Sequence, residues 1–267
     1  MPLYLFDHLE KLRAFKHDKN LAIISDVDGT ISEIAPTPEE AVVTDLMRDL
    51  LSQLNEKFKF VGVISGRSLS NVSEMVGVDG ILYVGNHGLE YLKNGEKITD
   101  PDAEKYRSKM QELCKELETK DLLQLEGLKL EDKGICLCLH YRQCPQGEEA
   151  KEKIWDTLNQ LLDSDELKIS SGRKIIEIKP PLTKDKGTIL EKIVKEYDLK
   201  KVIYLGDDIT DFDAFSKLQE LKKKREMEIG TILILSVEIP DYVKNSTQYY
   251  VNSVQEVQIF FKWLLDQ

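Results

Sequence analysis

Two acidic residues, Asp26 and Asp28, stand two positions apart, directly after a short apolar run and before the turn-forming Gly29. The apolar run over residues 21–24 predicts a strand that is buried on both faces, so both carboxylates come at its carboxyl end. In an open parallel sheet ligands bind at this end of the strands, and paired carboxylates favour a divalent cation with oxygen ligands. A lone Asp-x-Asp is more often a plain acidic turn. The interpretation therefore depends on matching residues further along the chain.

Matching residues follow in order. Ser65 ends a second apolar run, Lys186 begins a helical pattern, and Asp207, Asp208 and Asp211 come after a further apolar run. Each of these positions alone is more often a turn or a solvated loop. Because their joint order is much harder to obtain by chance, we interpret them as groups that meet at the strand ends.

The elements that must position these residues alternate along the chain. Strands are predicted over residues 21–24, 60–64, 81–84, 202–205 and 231–235. Helices are predicted over residues 3–15, 39–55, a short stretch through 75, 186–197 and 253–265. Ser253 and Glu256 have the spacing of a capping box. This alternation favours an α/β fold with a doubly wound, Rossmann-like parallel sheet and right-handed crossovers.

The pattern changes in the middle of the chain. Helices are predicted over residues 101–118 and 148–162, and two hairpins over residues 122–142 and 167–178, the second turning at residues 171–173. Two hairpins and two helices make a small α+β unit. We therefore predict a core formed by residues 1–104 and 181–267, with an inserted cap domain at residues 105–180. Such a cap would close over the core and expel water during the reaction.

Composition limits the classes of partner. The chain has 267 residues, 41% hydrophobic and 32% charged, with a net charge of -11, which argues against nucleic acid or an anionic membrane as a general partner. It has no apolar run of 18 residues and no signal-peptide core, so we expect a cytoplasmic protein. The spacing of its four cysteines suits neither a zinc site nor a disulfide framework, and small buried residues are the favoured interpretation.

The four motifs resemble those of the haloacid dehalogenase superfamily of phosphatases. Its motifs correspond here to Asp26 to Thr30, Ser65, Lys186 and Gly206 to Asp211. Several segments resemble, more narrowly, the trehalose-6-phosphate phosphatase family: Ile64 to Arg67, Gly85 to Glu90, Glu131 to Gly134, His140 to Arg142, Glu177 to Pro180, Lys186 to Gly187 and Gly206 to Asp211. Two departures are mild, since Lys179 stands where Arg is common and Phe212 where Glu is common. Both leave the metal and the nucleophile untouched.

The resemblance implies catalytic roles for four residues. Asp26 would attack phosphorus and form an aspartyl-phosphate, and Asp28 would protonate the leaving sugar oxygen and later accept a proton from water. Ser65 and Lys186, together with a metal, would screen the charge of the phosphoryl group. These groups explain how an acidic protein could bind an anion.

The same resemblance implies a cofactor and a partner. Mg²⁺ would be held by Asp26, the backbone carbonyl of Asp28 and Asp207, with Asp208 or Asp211 completing the site. The substrate would be a small sugar phosphate. A functional coupling to a trehalose-6-phosphate synthase is a further expectation.

Strand parity adds a prediction about specificity. Over residues 134–142 alternate side chains share a face, so Ile135, Leu137, Leu139 and Tyr141 lie on one side and Cys136, Cys138, His140 and Arg142 on the other. With the resemblance, the predicted substrate-binding residues are Arg67, Asn86, His87, Glu131, Lys133, His140, Arg142, Glu177 and Lys179. The alternative is that the charges over residues 131–179 are simply solvated, and it is strongest for Arg142 and Lys179.

Three functions remain open at this point. The first is a sugar-phosphate phosphatase, with trehalose 6-phosphate preferred over sucrose 6-phosphate, mannosyl- or glucosyl-3-phosphoglycerate and hexose phosphates. The second is a phosphosugar mutase, and the third is a non-catalytic sugar-phosphate sensor. Intact Asp26 and Asp28 argue against the sensor, because a binding module needs neither a nucleophile nor an acid.

Overall fold

The computed structural model describes residues 1–162, 166–172, 174–236 and 239–266. It divides into two compact units, one made of residues 1–98 and 184–267 and the other of residues 99–183. We call them the core unit and the inserted unit. The predicted borders of the insertion, residues 105 and 180, lie a few residues inside these bounds.

Within the described residues, nine strands form one sheet in the core unit. In chain order the strands are β1 (Leu3–Tyr4), β2 (Leu21–Ser25), β3 (Phe60–Ile64), β4 (Leu82–Gly85), β5 (Glu90–Lys93), β6 (Glu96–Thr99), β11 (Lys201–Gly206), β12 (Glu228–Ile234) and β13 (Tyr249–Val251). The numbers 7 to 10 belong to strands of the inserted unit, given below. Across the sheet the order is β1-β13-β12-β11-β2-β3-β4-β5-β6. In this order, each pair of neighbours from β1 at the edge across to β4 is parallel, and β5 runs antiparallel to β4. Strands β3 to β6 follow β2 along the chain and lie on one side of it, whereas β11 pairs with its other side. The strand order therefore reverses between β2 and β11, and this is the switch point of the sheet.

Helices cover both faces of this sheet. They are α1 (Arg13–Lys16), α2 (Asp45–Lys57), α3 (Leu69–Val76), α7 (Lys186–Glu196), α8 (Asp211–Arg225), α9 (Asp241–Asn245) and α10 (Val254–Leu265), with α4 to α6 in the inserted unit. Ile23 packs with α2, α3 and α10 in one apolar cluster, whereas Ile24 packs with α7 and α8 in another. Every residue of β2 is buried, as expected for a parallel strand covered on both faces.

The first and second predicted helices differ from the structure. The pattern predicts one helix over residues 3–15, but β1 pairs with β13 and a 3-10 helix at Leu5–Leu12 precedes the short α1. Because Leu3 and Tyr4 pair with β13 at the edge of the sheet, they are extended and cannot belong to a helix. The second helix begins only at Asp45, because a 3-10 turn at Pro38–Glu40 comes first and the Thr44 hydroxyl caps α2 at the N–H of Met47.

Besides the short α9 and β13, two features of the core unit were not predicted from the sequence. One is α8, although Phe215, Leu218 and Leu221 have helical spacing and are buried. The other is the pair of short strands β5 and β6, which extends the sheet beyond β4. At α10 the Ser253 hydroxyl accepts the backbone N–H of Glu256, which is one of the two bonds of the predicted capping box. In the reverse direction, the Glu256 carboxylate accepts the backbone N–H of Asn252, one residue before the Ser253 cap.

The inserted unit has its own sheet and core. Its strands are β7 (Lys129–Asp132), β8 (Leu137–His140), β9 (Lys168–Gly172) and β10 (Ile175–Lys179), in the antiparallel order β7-β8-β10-β9. Its helices are α4 (Pro101–Glu104), α5 (Arg107–Glu118) and α6 (Gly147–Leu161), with a 3-10 turn at Asp121–Gln124 where the pattern predicts the start of a strand. The predicted turn at 171–173 includes Arg173, which lies outside the described residues. None of the described helices is both long and apolar enough to cross a membrane.

Candidate active site

The predicted site residues of the core unit come together at the carboxyl ends of neighbouring parallel strands. Asp26 follows β2, Ser65 follows β3 and Asp207 follows β11. Asp26 donates its backbone N–H to the carbonyl of Leu205 at 2.9 Å, which ties the first acidic turn to the end of β11. Gly29 has a φ of 79°, and a Cβ there would overlap the Asp207 carboxylate, so the two loops can approach closely only with glycine at this position.

A buried lysine joins two of the carboxylates. Lys186 Nζ lies 2.9 Å from Asp26 Oδ1 and 2.7 Å from Asp211 Oδ1. Its side chain is only 3% exposed, so the contacts form in a poorly solvated place where charges interact strongly. Burial alone would lower the pKa of Lys186, but the carboxylates of Asp211 and Asp26 outweigh it and raise that pKa. Lys186 therefore stays an ammonium group beside Asp26.

Asp211 holds the acidic loop in shape. One carboxylate oxygen accepts hydrogen bonds from Lys186 and from the Tyr204 hydroxyl at 2.6 Å, and the other accepts the backbone N–H groups of Asp207 at 3.2 Å and Asp208 at 3.0 Å. With four donors, Asp211 orients the loop that presents Asp207. Tyr204 is not among the site residues predicted from the sequence. The available signal was a tyrosine inside an apolar buried strand, since its hydroxyl must find an acceptor there.

The carboxylates form a cluster that fits a divalent cation. Ligand oxygens of Asp26, Asp207 and Asp211 lie within 4.8 Å of one another. Burial, only partly offset by Lys186, raises the pKa of Asp26 to about 7, and burial with the charge of Asp26 raises the pKa of Asp207 to about 9. Without a cation these carboxyl groups therefore tend to keep their protons, and all three can ionise together only if positive charge is added to that of Lys186. A divalent cation would supply that charge, and carboxylate oxygens are the ligands that Mg²⁺ prefers. Of the other predicted ligands, Asp208 accepts the N–H of Ile209 at 2.7 Å, and the backbone carbonyl of Asp28 stays a prediction.

Asp28 is paired with Arg67. The guanidinium donates from Nε and Nη2 to the two carboxylate oxygens of Asp28, both at 2.7 Å, and from Nη1 to the carbonyl of Pro38 at 2.9 Å. Such a two-point contact fixes the plane of a carboxylate. The structure therefore gives Arg67 a positioning contact with Asp28, and its predicted contact with substrate stays a prediction. The Ser65 hydroxyl accepts the N–H of Arg67 at 3.1 Å and is itself buried.

Asn86 and His87 form an unusual turn after β4. Both have positive φ angles, 49° and 53°, a region that few residues other than glycine adopt. The buried Asn86 amide donates to Glu90 Oε2 at 2.8 Å, and Glu90 Oε1 pairs with Lys97. The His87 ring lies against Gly66, where a Cβ would overlap it. The structure thus brings His87 next to the segment that holds Ser65.

In the inserted unit most of the predicted substrate-binding residues lie on one face of the sheet. Glu131 is opposite Cys138, and Cys138 is opposite Glu177. His140 Nε2 lies 2.7 Å from Glu131 Oε2.

The lysines of this unit pair with Glu177. Lys133 Nζ lies 3.6 Å and Lys179 Nζ 3.2 Å from oxygens of the buried Glu177 carboxylate. Arg142 lies beyond the end of β8 and is exposed.

The opposite face of this sheet is apolar, as parity predicts. Leu137, Leu139 and Tyr141 pack in one cluster with residues of α5 and α6. One face of the sheet therefore holds the unit together, and the other gathers charged side chains.

Comparison with known proteins identifies the family. The trehalose-phosphatase family model matches residues 24–255. A probable trehalose-phosphate phosphatase 4 of Oryza sativa subsp. japonica is 30% identical over 237 residues, which cover 84% of this chain and 61% of that relative. The chain thus spans about three fifths of the relative's length.

Solved structures agree on the fold. The C-terminal domain of the C. albicans trehalose-6-phosphate phosphatase superposes with a TM-score of 0.77 at 22% identity, covering 99% of this chain and 97% of that one. A haloacid dehalogenase-like hydrolase from Bacteroides thetaiotaomicron superposes with a TM-score of 0.61 at 12% identity, covering 92% of this chain and 100% of that one. With a parallel-sheet core, acidic strand ends and a family match over most of its length, the chain belongs to the trehalose-phosphatase family.

Proposed function

We propose that this chain is a Mg²⁺-dependent phosphatase that hydrolyses a sugar phosphate, with trehalose 6-phosphate preferred, through an aspartyl-phosphate on Asp26. The observation that carries the proposal is the buried contact between Lys186 and Asp26 at the end of β2, with Asp207 in the same cluster. A carboxylate held beside an ammonium group and a cation site suits attack on a phosphate monoester. Membership of the trehalose-phosphatase family supports the sugar phosphate as substrate.

The residues of the core unit divide the reaction between them. Lys186 contacts Oδ1 of Asp26, so the attack would come from Oδ2, forming a bond to phosphorus as the bond from phosphorus to the sugar oxygen breaks. Asp28 would give its proton to that oxygen, and because both of its carboxylate oxygens accept from Arg67 in the geometry described, one oxygen would have to leave that contact and carry the proton toward the sugar. Water would then attack phosphorus, passing a proton to Asp28 and releasing Asp26 and phosphate. Ser65 and Lys186 would hold the phosphoryl oxygens.

A cation would be held by Asp26 and Asp207, with Asp211 within reach and the carbonyl of Asp28 as a further ligand. Bound Mg²⁺ would neutralise charge on the phosphoryl group and keep it oriented.

The inserted unit would recognise the sugar. Its polar face carries Glu131, His140, Lys133, Glu177 and Lys179, whose side chains suit the hydroxyls of a disaccharide. We propose that residues 99–183 act as a cap that excludes water from the aspartyl-phosphate until the sugar is bound. The separate apolar core of this unit supports its action as one body.

The experiment is phosphate release with Mg²⁺ from a panel of trehalose 6-phosphate, sucrose 6-phosphate, glucosyl-3-phosphoglycerate, glucose 6-phosphate and an aryl phosphate. We expect the highest kcat/KM for trehalose 6-phosphate and no turnover with a chelator present. The Asp26→Asn variant is the control for a contaminating phosphatase.

Three outcomes would contradict the proposal. Phosphate that moves to a second position on the sugar rather than to water would indicate a mutase. Binding of sugar phosphates without turnover would indicate a sensor, and a preference for another sugar phosphate would refute the named substrate. Coupling to a trehalose-6-phosphate synthase and a cytoplasmic location stay predictions.

A further inference from the structure

Three side chains on the polar face of the inserted unit form a cluster of a different chemical kind from the core carboxylates. Ligand atoms of Glu131, Cys138 and His140 all lie within 4.8 Å of one another. Glu131 is directly opposite Cys138 in the β7–β8 pair, and His140 is two residues further along β8, so all three share a face. Antiparallel pairing, rather than a short sequence motif, brings them together.

Their donor atoms are a thiol sulfur, an imidazole nitrogen and a carboxylate oxygen. This set is typical of Zn²⁺ and other transition metals, whereas Mg²⁺ prefers oxygen ligands alone. In a tetrahedral site with metal–ligand bonds near 2.0–2.3 Å, neighbouring ligand atoms are about 3.3–3.8 Å apart. Side-chain rotation within the observed cluster would suffice to reach that spacing.

The surroundings are compatible with a cation despite two nearby lysines. Glu177, opposite Cys138 on its other side, contacts the amines of Lys133 at 3.6 Å and Lys179 at 3.2 Å. Its carboxylate offsets one of the two lysine charges, and the Glu131 carboxylate offsets the other. The Cys138 sulfur is buried, but the side chains of His140 and Glu131 are 18% and 35% exposed, so an ion can reach these two first.

We propose that Glu131, Cys138 and His140 form a binding site for a transition-metal dication of the Zn²⁺ class, with a water molecule in the fourth position. As the metal–sulfur bond forms, the Cys138 thiol releases its proton to solvent. The proton between His140 Nε2 and Glu131 Oε2 moves to Nδ1 of the imidazole, so that Nε2 and the carboxylate oxygen each give a lone pair to the metal, and the oxidation state of the metal is unchanged. Because Glu131 and His140 also belong to the proposed sugar-binding face, the bound ion would exclude the sugar. This consequence rests on the proposed function, but the site itself does not.

The first test uses Co²⁺ in place of Zn²⁺ and needs no turnover. A thiolate bound to Co²⁺ gives an intense near-ultraviolet charge-transfer band, which the all-oxygen core cluster cannot give. We expect this band on titrating the metal-free protein, and we expect its loss in both Cys138→Ala and the nearly isosteric Cys138→Ser. Circular dichroism and thermal melting would show that the variants are folded.

The other cysteines supply the controls. Cys136 directly precedes β8, two residues before Cys138, Cys114 is buried on α5, and Cys144 is partly exposed. The band should persist in Cys136→Ala, Cys114→Ala and Cys144→Ala. No band in the wild type, or a band that remains in folded Cys138→Ser, would overturn the site.

The second test measures the competition with sugar. At saturating Mg²⁺, Zn²⁺ should raise the KM for trehalose 6-phosphate about tenfold or more in the wild type, leave the aryl phosphate unaffected, and have no such effect in Cys138→Ser. Equal inhibition of both substrates in both proteins would place the inhibitory ion in the core and refute the competition. If the chain hydrolyses no sugar phosphate, the proposed function fails while the Co²⁺ test still decides the metal site.

Discussion

Two lysines, Lys186 in the core unit and Lys133 in the inserted unit, are buried beside carboxylates, but they are held differently. Lys186 Nζ contacts Asp26 and Asp211 at 2.9 and 2.7 Å. Lys133 Nζ stands 3.6 Å from Glu177, which also pairs with Lys179 at 3.2 Å. Both contacts of Lys186 are shorter than the contact of Lys133, and Lys133 shares its carboxylate with a second lysine.

The difference follows from the sheets that carry the two clusters. The core cluster lies at the ends of strands buried on both faces, where backbone bonds to Leu205 and Asp211 leave the side chains little freedom. The cluster of the inserted unit lies on a sheet with one packed and one polar face, where the two lysines reach Glu177 through long side chains rather than through backbone contacts. Fixed charges suit a reaction common to all phosphate monoesters, and adaptable ones suit the choice of sugar.

The largest expected effect concerns the chemical step, which belongs to the core unit alone. Asp26→Asn removes the proposed nucleophile and should lower kcat by a factor on the order of a thousand or more for every substrate. Asp28→Asn should also stop turnover while leaving metal binding largely intact, which isothermal titration calorimetry with Mg²⁺ would measure. Wild-type turnover in Asp26→Asn would refute the nucleophile.

The second prediction compares the two lysines by stability. Lys186→Met leaves Asp26 and Asp211 buried without their cation, so the free energy of unfolding should fall by about 3–5 kcal/mol. Lys133→Met should cost less, about 1–2 kcal/mol, because Glu177 keeps Lys179 as a partner. Urea unfolding of the two variants at one pH measures both values. Equal losses would show that the distances do not reflect the strength of the two pairs.

The sequence predicted the parts of this comparison that depend on local pattern. Acidic residues after apolar runs placed Asp26 and Asp207 at strand ends, and alternation along residues 134–142 separated Leu137 and Leu139 from His140. These inferences need only the period of a strand.

Other contacts could not be predicted in this way. The pairing of Arg67 with Asp28 joins residues 39 apart in sequence, and it depends on how a crossover returns the chain to the sheet. The Tyr204 to Asp211 bond depends on the path of the acidic loop. The spacing of the cysteines gave no hint of a metal site, because the register of β7 and β8, rather than the spacing along one strand, brings Glu131 beside Cys138.

The third prediction tests whether the inserted unit determines specificity. Lys133→Ala or Glu177→Ala should lower kcat/KM for trehalose 6-phosphate by about tenfold to a hundredfold, because a polar group meant for a hydroxyl loses its partner. Turnover of an aryl phosphate, which needs only the core residues, should change little. Lys105→Ala, which removes an exposed lysine paired with Asp102, is the matched control. If both substrates fell by the same factor, the cluster would be structural.

The smallest expected effect is a pH dependence of the metal-free protein. Burial raises the pKa of Asp26 to about 7 and that of Asp207 to about 9, above the ordinary value of 3.8, so the folded chain retains protons that the unfolded chain has released. A raised carboxyl pKa contributes stability at low pH that is lost as the pH rises through the folded values. The free energy of unfolding in chelator should therefore fall between pH 6 and pH 9.

Two variants show which cluster causes this slope. Asp207→Asn removes one of the two raised carboxyl groups, so its stability should decline less steeply over the same range. Lys133→Met should leave the slope as in the wild type. Burial lowers the pKa of Lys133, but the Glu177 carboxylate outweighs burial and the pKa is raised. The stability that Lys133 contributes is therefore lost only above pH 9. Urea unfolding at four pH values measures all three slopes, and groups that titrate in every protein cancel from the comparison. A wild-type slope no steeper than that of Asp207→Asn would mean that Asp207 is already ionised in the folded protein, and that its charge is balanced without a cation.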